Sequence, residues 1–269
     1  MYINYINEVT LMVNFTSLIS GSSGNATFIS DGHTHILTDC GMSGARLKDA
    51  LKKIGITPES LSAVLITHEH IDHVRGIGVI ARRYGLPVYA TEKTLSALDC
   101  GPINENLLCA IKPDEDFEIG SIGIRPFSIP HDAADPVGYN YFAENEKYSL
   151  ATDIGHMNQY IFDHLTGSKA VLLESNHDVE MLQFGSYPYP LKRRILSDVG
   201  HLSNENAAKC ALALVKNGTE RIALGHLSQE NNRPEIALLE THNTLTQAGV
   251  KVGDDVMLTV AKRFEVTQI

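Results

Sequence analysis

Four candidate metal ligands, His68, His70, Asp72 and His73, fall within the six residues His68-Glu69-His70-Ile71-Asp72-His73, directly after the apolar run Ala63-Val64-Leu65-Ile66, and no other stretch restricts the fold so tightly. The apolar run reads as a buried strand. Alternation at its end puts His68 and His70 on one side, where two imidazoles converge on a single ion. Asp72 and His73 turn into a helix start and offer a second pair of ligands to a second ion close by. A chain carrying this motif needs a fold that brings further ligands to the end of a buried strand.

Other apolar runs deliver them. The run at 122–129 leads into His131, that at 148–151 into Asp153, that at 170–173 ends at Glu174, and that at 222–224 presents His226. Residues 13–19, 26–30 and 33–38 predict an opening antiparallel set. His33 and His35 share the H-x-H spacing, but they flank the turn Asp31-Gly32 and read as an exposed strand face. Helical periodicity covers 43–54, 72–84, a segment capped by Ser203 and running to about 216, and one opened by Pro234 and running to about 247. Closing strands are expected over 256–260 and 264–266. Strands alternate with helices in both halves, without a Gly, Ser or Pro linker, so the chain predicts an α/β sandwich of two sheets with helices on both outer faces. It is expected as one domain over 12–269, with residues 1–11 a flexible extension or, given Met12, a misassigned start.

The ligands divide into two sets: His68, His70 and His131 for one ion, Asp72, His73 and His226 for the other, with Asp153 as a bridge. Imidazoles and carboxylates without thiolates suit two divalent ions, Zn2+, Mn2+ or Fe, and do not separate them. Two such ions about 3.5–4 Å apart activate water at neutral pH and polarise a substrate oxygen, which makes hydrolysis the expected chemistry.

A net charge of −10 argues against a protein coated in nucleic acid, yet screening over about 8 Å lets a local basic patch act independently of the total. Cys40, Cys100, Cys109 and Cys210 are scattered without a C-x-x-C pair, which fits a reducing compartment. The N-terminus has no basic leader, and no apolar run reaches the roughly 18 residues of a membrane span. A soluble cytoplasmic protein without membrane contact is expected, and no feature of the sequence specifies an oligomer.

Six stretches together resemble one family: Ser20-Gly21-Ser22-Ser23-Gly24-Asn25, Thr67 to His73, His131-Asp132-Ala133-Ala134-Asp135-Pro136, Glu174-Ser175-Asn176-His177, Gly200-His201-Leu202-Ser203-Asn204 and Gly225-His226-Leu227-Ser228. The chain is similar to the metallo-β-lactamase-fold hydrolases, and most closely to their small bacterial YycJ/WalJ-type branch, from Phe15 onward and without departure from the ligand pattern. The resemblance implies an αββα four-layer sandwich, a dinuclear centre with the ligands above, and phosphodiester cleavage, in this branch as a 5′ to 3′ exonuclease on DNA ends. It further implies that Asp39 braces the metal loop from behind the ligands, that His201 is a general acid, and that Glu174 orients it.

The His201 role has a chemical basis, since a departing alkoxide must be protonated whereas a thiolate of pKa about 8.5 needs little help. Its presence favours phosphodiester cleavage over the alternative of a thioester or lactone hydrolase; a non-catalytic metal-binding scaffold or sensor is the third reading. For substrate contact, Tyr187-Pro188-Tyr189-Pro190-Leu191-Lys192-Arg193-Arg194 interleaves aromatics with three cations. It reads either as a platform for bases and phosphates, through Tyr189, Lys192, Arg193 and Arg194, or as a surface turn and solvated helix. The Ser/Gly turn reads as a tight hairpin or as a phosphate cradle using Ser23 and Asn25. Asn176 and His177 are further candidates for the same cleft.

Overall fold

Burial along the strands sorts the apolar side chains into three layers, because successive residues of a strand face opposite sides. The computed structural model describes residues 13–269, and the extension expected over residues 1–11 lies outside the described residues. One sheet contains β1 (Asn14–Ile19), β2 (Ala26–Ser30), β3 (His35–Thr38), β4 (Ala63–Leu65), β5 (Val88–Thr91) and β6 (Leu108–Ile111). The other contains β7 (Phe117–Ile119), β8 (Ile122–Ser128), β9 (Val137–Ala143), β10 (Glu146–Ala151), β11 (Ala170–Glu174), β12 (Arg221–Gly225) and β13 (Met257–Val260). The chain returns with β14 (Thr267–Gln268) to pair with β1, so the sheet orders are β14-β1-β2-β3-β4-β5-β6 and β13-β12-β11-β10-β9-β8-β7.

The helices are α1 (Gly44–Lys53), α2 (Ile71–Val74), α3 (Ile77–Tyr84), α4 (Glu92–Ala97), α5 (Gln159–Leu165), α6 (Val179–Phe184), α7 (Tyr189–Ile195), α8 (Asn204–Lys216) and α9 (Pro234–Gln247). Between the sheets, Phe15, Ile36 and Leu65 meet Ile124, Tyr139, Tyr141 and Leu172. On the outer face of the first sheet, Leu37 and Val64 pack with Leu47 and Leu51 of α1 and with Ile77 and Ile80 of α3. On the outer face of the second, Val171, Leu173 and Leu224 pack with Ile161 of α5, Leu214 of α8 and Leu245 of α9. Helix, sheet, sheet, helix is the four-layer order expected. Val64 facing out beside Leu65 facing in shows how a near-continuous apolar run serves two layers at once.

The expected helix starts hold: Ser203 Oγ caps α8 by accepting from Asn206 N at 3.3 Å, Pro234 opens α9, and Ser43, where the first helix was expected to begin, caps α1 by accepting from Arg46 N at 3.4 Å. Two expectations need correction. The helix predicted over 72–84 is split into α2 and α3 at Gly76, whose N–H donates to Cys40 O at 2.8 Å. A Cβ there would overlap Met42 O and approach Cys40 Sγ to 2.7 Å, so the helix breaks where backbone meets backbone. The strand predicted over 264–266 is displaced to β14, because Phe264 stays outside beneath Arg46 while Ile269 fills the layer between the sheets. Helices α5 and α6 are short and lie outside the helices expected from the sequence, whereas α7 is the helix that one reading of the stretch 187–194 offered. No described helix is long and apolar enough to cross a membrane.

In each sheet the strands that precede the candidate ligands run in one direction: β3 is parallel to β4, β10, β11 and β12 are mutually parallel, and β8 and β10 are both antiparallel to β9. Gly41 sits where this arrangement is tightest, with its N–H on Asn25 O at 2.8 Å and no room for a Cβ beside Asp72 O. Gly41→Ala is therefore expected to destabilise the protein by about 1–3 kcal/mol, the usual range for overpacking. Gly44→Ala, whose Cβ would meet nothing closer than 3.7 Å, is the control and should leave the denaturation midpoint unchanged or slightly raised. Equal midpoints for both variants would contradict the close packing.

Candidate metal centre

The candidate ligands stand where strands leave their sheets. Asp39 follows β3, His68 follows β4, His131 follows β8, Asp153 follows β10, Glu174 ends β11 and His226 follows β12; His70 immediately precedes α2, which carries Asp72 and His73. Their side chains meet in two adjoining groups. His68, His70 and His131 each bring a ring nitrogen within 4.8 Å of the others, and Asp72, His73 and His226 do the same with one carboxylate oxygen and two nitrogens. Asp153 lies between them, with Oδ1 3.8 Å from His131 Nε2 and 3.4 Å from His226 Nε2, and Oδ2 3.4 Å from His73 Nε2. Asp39, Asp153 and His226 have φ of 60°, 62° and 55°. Left-handed backbone at residues with a Cβ costs about 1–3 kcal/mol each and persists only where the surroundings impose it.

Tethers on the far side of the rings decide which nitrogen faces the centre. His73 Nδ1 is 2.8 Å from Asp39 Oδ2, His226 Nδ1 is 2.9 Å from Glu174 Oε1, and His131 Nδ1 donates to Gly200 O at 3.1 Å. Thr67 Oγ1 donates to Asp39 Oδ2 at 2.8 Å and accepts from His68 Nδ1 at 3.0 Å. All four rings are thereby left with Nε2 toward the centre. His70 differs, presenting Nδ1 at 3.4 Å from His131 Nε2.

Electrostatics follow from burial and the carboxylates. Burial, then the neighbouring imidazoles, hold His68 well below the ordinary histidine range. Burial also opposes charge on His73, but Asp153, Asp39 and Asp72 outweigh it and lift this group to about 9. His226 is raised in the same way, against burial, by Asp153, Asp72 and Glu174. Burial alone would raise Asp153 and Glu174, yet the surrounding histidines hold both below the usual carboxylate range.

His68 Nε2, His226 Nε2 and Asp153 Oδ2 are buried and lack a hydrogen-bond partner among the described residues. Buried polar atoms left unpaired are costly, and three of them at one point, all of metal-ligating type, fit divalent ions held by these residues.

Beside the ligands lies His201, whose Nδ1 is 2.8 Å from Glu174 Oε1, the same oxygen that holds His226. Glu174 is fully buried, and its Oε2 accepts from Ile154 N at 2.7 Å and Leu202 N at 3.1 Å. The bond to His226 goes beyond the role expected of Glu174, which was to orient His201. A cleft of about 320 Å³ opens over the centre, lined by Ser22, His70, Ile71, Asp72, Asp153, Arg194, His201 and His226.

The candidate substrate residues disperse. Arg194 lines the cleft, held by Asp132 through Nη2–Oδ1 at 2.9 Å and through Nε. Lys192 donates instead to Gln183 O and Gly185 O at 2.9 and 2.7 Å, and Arg193 lies over the exposed ring of Tyr189. Ser23 is exposed on the turn next to Ser22. Asn25 is buried, bonding across its turn to Gly21 and approaching His73 Nε2 at 3.1 Å. Asn176 and His177 are buried, and Asn176 donates to His226 O at 2.9 Å rather than facing the cleft. Glu69, not singled out as a sequence candidate, accepts from Ala134 N at 2.8 Å and ties the loop after His131 to the metal motif.

Two sheets, candidate ligands at the ends of several strands and a carboxylate between two candidate ligand sets fit a metallo-β-lactamase centre, and the chain belongs to that superfamily: a family model described as "Beta-lactamase superfamily domain" matches residues 34–227. The metallo-β-lactamase fold protein YhfI from Bacillus subtilis shares the fold at a TM-score of 0.67 and 15% identity, over 96% of this chain and 100% of that one. Within the superfamily the chain falls in the YycJ/WalJ branch. It is 40% identical over 245 residues to exodeoxyribonuclease WalJ of Streptococcus pneumoniae serotype 2, covering 90% of this chain and 91% of the relative. It is 39% identical over 250 residues to exodeoxyribonuclease YycJ of Bacillus anthracis, covering 90% and 92%.

Asp153→Ala is expected to lose at least one metal equivalent, because the imidazoles cannot offset the repulsion between two nearby cations as a bridging carboxylate does. Elemental analysis finding two equivalents retained would reject the bridge. With His73 lifted to about 9, the metal-free centre holds protons at neutral pH that an incoming ion must displace. Metal affinity should therefore rise with pH toward about 9, and loading near neutrality should release protons. Calorimetry in two buffers of different ionisation enthalpy measures that release, and a value of zero would contradict the assignment.

Proposed function

We propose that the chain is a dinuclear metal-dependent phosphodiesterase that degrades DNA from an end, in the 5′ to 3′ direction. The observation that carries this reading is the His201–Glu174 pair beside the ligand groups, and the exodeoxyribonuclease names of the 40% and 39% identical relatives support it. When bound, two divalent ions lower the pKa of water and polarise a phosphoryl oxygen. Everything else is the work of the chain. His68, His70 and His131 would hold one ion, Asp72, His73 and His226 the other, and Asp153 both.

Glu174 fixes the geometry of proton delivery, since one oxygen holds both His201 and His226 while the other is pinned by Ile154 N and Leu202 N. With Nδ1–H on Glu174, a proton on His201 Nε2 faces the cleft and passes to the departing alkoxide oxygen. A leaving thiolate has no such need, and this separates the reading from thioester hydrolysis. Arg194 spends Nε and Nη2 on Asp132, which leaves Nη1 for a substrate phosphate oxygen. Four free cysteines, two of them buried, support placing the protein in the cytoplasm.

The test is an add-back of Zn2+, Mn2+ or Fe2+ to metal-free protein, assayed on 5′-phosphorylated duplex DNA, single-stranded DNA, RNA, a chromogenic phosphodiester and a thioester. Cleavage of DNA and the diester is expected; thioester cleavage alone would reject the reading. His201→Ala should keep both metals yet lose about 10²–10⁴-fold in turnover on DNA, the usual contribution of a positioned acid. The chromogenic diester, whose nitrophenolate leaves without a proton, should lose far less. An equal loss on both substrates would assign His201 a structural role.

A further inference from the structure

The loop between β13 and β14 carries a cation beside the metal centre that the chemistry above does not use. Arg263 is half-buried, with Nη2 donating to Leu227 O at 2.8 Å and Nη1 to Ser23 Oγ at 3.3 Å. Leu227 follows the candidate ligand His226, and Ser23 follows Ser22, which lines the cleft. Gly21 makes room for the side chain: a Cβ there would stand 2.8 Å from Arg263 Nη1 and 3.0 Å from Cζ. The guanidinium is thus packed against the backbone of the Ser/Gly turn.

Its charge has no partner at contact distance. Arg125 and Arg194 each face an aspartate, whereas no carboxylate among the described residues lies within 4.0 Å of Arg263. Burial works against its charge, and Tyr187 and Glu230 support it only from farther off. A guanidinium has five N–H donors, and the two contacts above leave the rest unassigned. Fastening a loop to a carbonyl and a hydroxyl needs only neutral donors. A full charge kept half-buried and unpaired beside a phosphodiester cleft calls for an anion.

We infer that Arg263 and the Ser22–Ser23 turn form a subsite that holds a backbone phosphate of the strand being cleaved, distinct from the phosphate at which the bond breaks. The inference rests on the reading of the chain as a DNA phosphodiesterase. Arg263 is then a specificity residue: it favours a polynucleotide over a small diester, which has no second phosphate to offer, and takes no part in bond breaking.

The test compares wild type, Arg263→Gln and Arg263→Lys for metal content, for kcat and KM on a single-stranded oligonucleotide, and for hydrolysis of the chromogenic diester. Arg263→Gln should raise KM on the oligonucleotide about 10- to 100-fold, the loss of one charge-assisted contact, with kcat, metal content and diester hydrolysis retained. Arg263→Lys should recover part of the loss. The slope of log binding constant against log salt, measured by fluorescence anisotropy, should fall in magnitude by about 1. A neutral methylphosphonate at one position of the oligonucleotide should penalise wild type alike and add nothing to Arg263→Gln. An unchanged KM overturns the subsite, and so does a joint fall in metal content and in both activities, which would make Arg263 a clamp. Wild-type protein that hydrolyses the diester but not DNA removes the functional reading and the subsite together. That result is distinct from wild type and variant cleaving DNA alike, which removes the subsite alone.

Discussion

Asp39, buried behind the ligands, accepts from Thr67 N at 2.9 Å, from Thr67 Oγ1 at 2.8 Å and from His73 Nδ1 at 2.8 Å. Those three bonds join the end of β4 to α2 across the loop that carries His68 and His70. One side chain therefore fixes His68 and His70, on that loop, relative to Asp72 and His73 on α2. Removing it would leave Thr67 and His73 with buried, unpaired donors, each of which costs about 1–3 kcal/mol. It would also free the His73 ring to turn.

The second sheet repeats the device. Glu174, at the end of β11, holds His226 and His201 through one oxygen and two backbone N–H groups through the other. Each sheet thus contributes a buried carboxylate that orients imidazoles from behind, and the two sets face each other across the edge of the sandwich. The carboxylates lift His73 and His226 above the ordinary histidine range, so an ion bound at these rings displaces protons that would otherwise offset the negative charge.

Some of the backbone strain falls in the same place. Asp39, Asp153 and His226 hold left-handed backbone just beyond the ends of their strands, and Gly41 and Gly76 allow backbone contacts that a Cβ would block. The core layers on either side, filled by Leu65, Tyr139 and Leu172 within and by Leu47 and Leu214 without, are what hold those turns in a conformation an isolated chain would rarely adopt.

Local patterns were legible in the sequence by itself. Period-two alternation and apolar runs marked the strands, Ser43, Ser203 and Pro234 marked helix starts, and a His or carboxylate after each buried run marked the candidate ligands. These signals are short-range, because side-chain direction in a strand and capping at a helix end depend on neighbouring residues. What only the tertiary structure decided involves distance along the chain. Lys192, Arg193 and Arg194 read as one basic patch, yet helical rotation and the position of Asp132 bring only Arg194 into the cleft. The break at Gly76 depends on Cys40 and Met42, and the contact of Arg263 with Ser23 spans 240 residues. No periodicity encodes such meetings, since they follow from how two complete sheets pack.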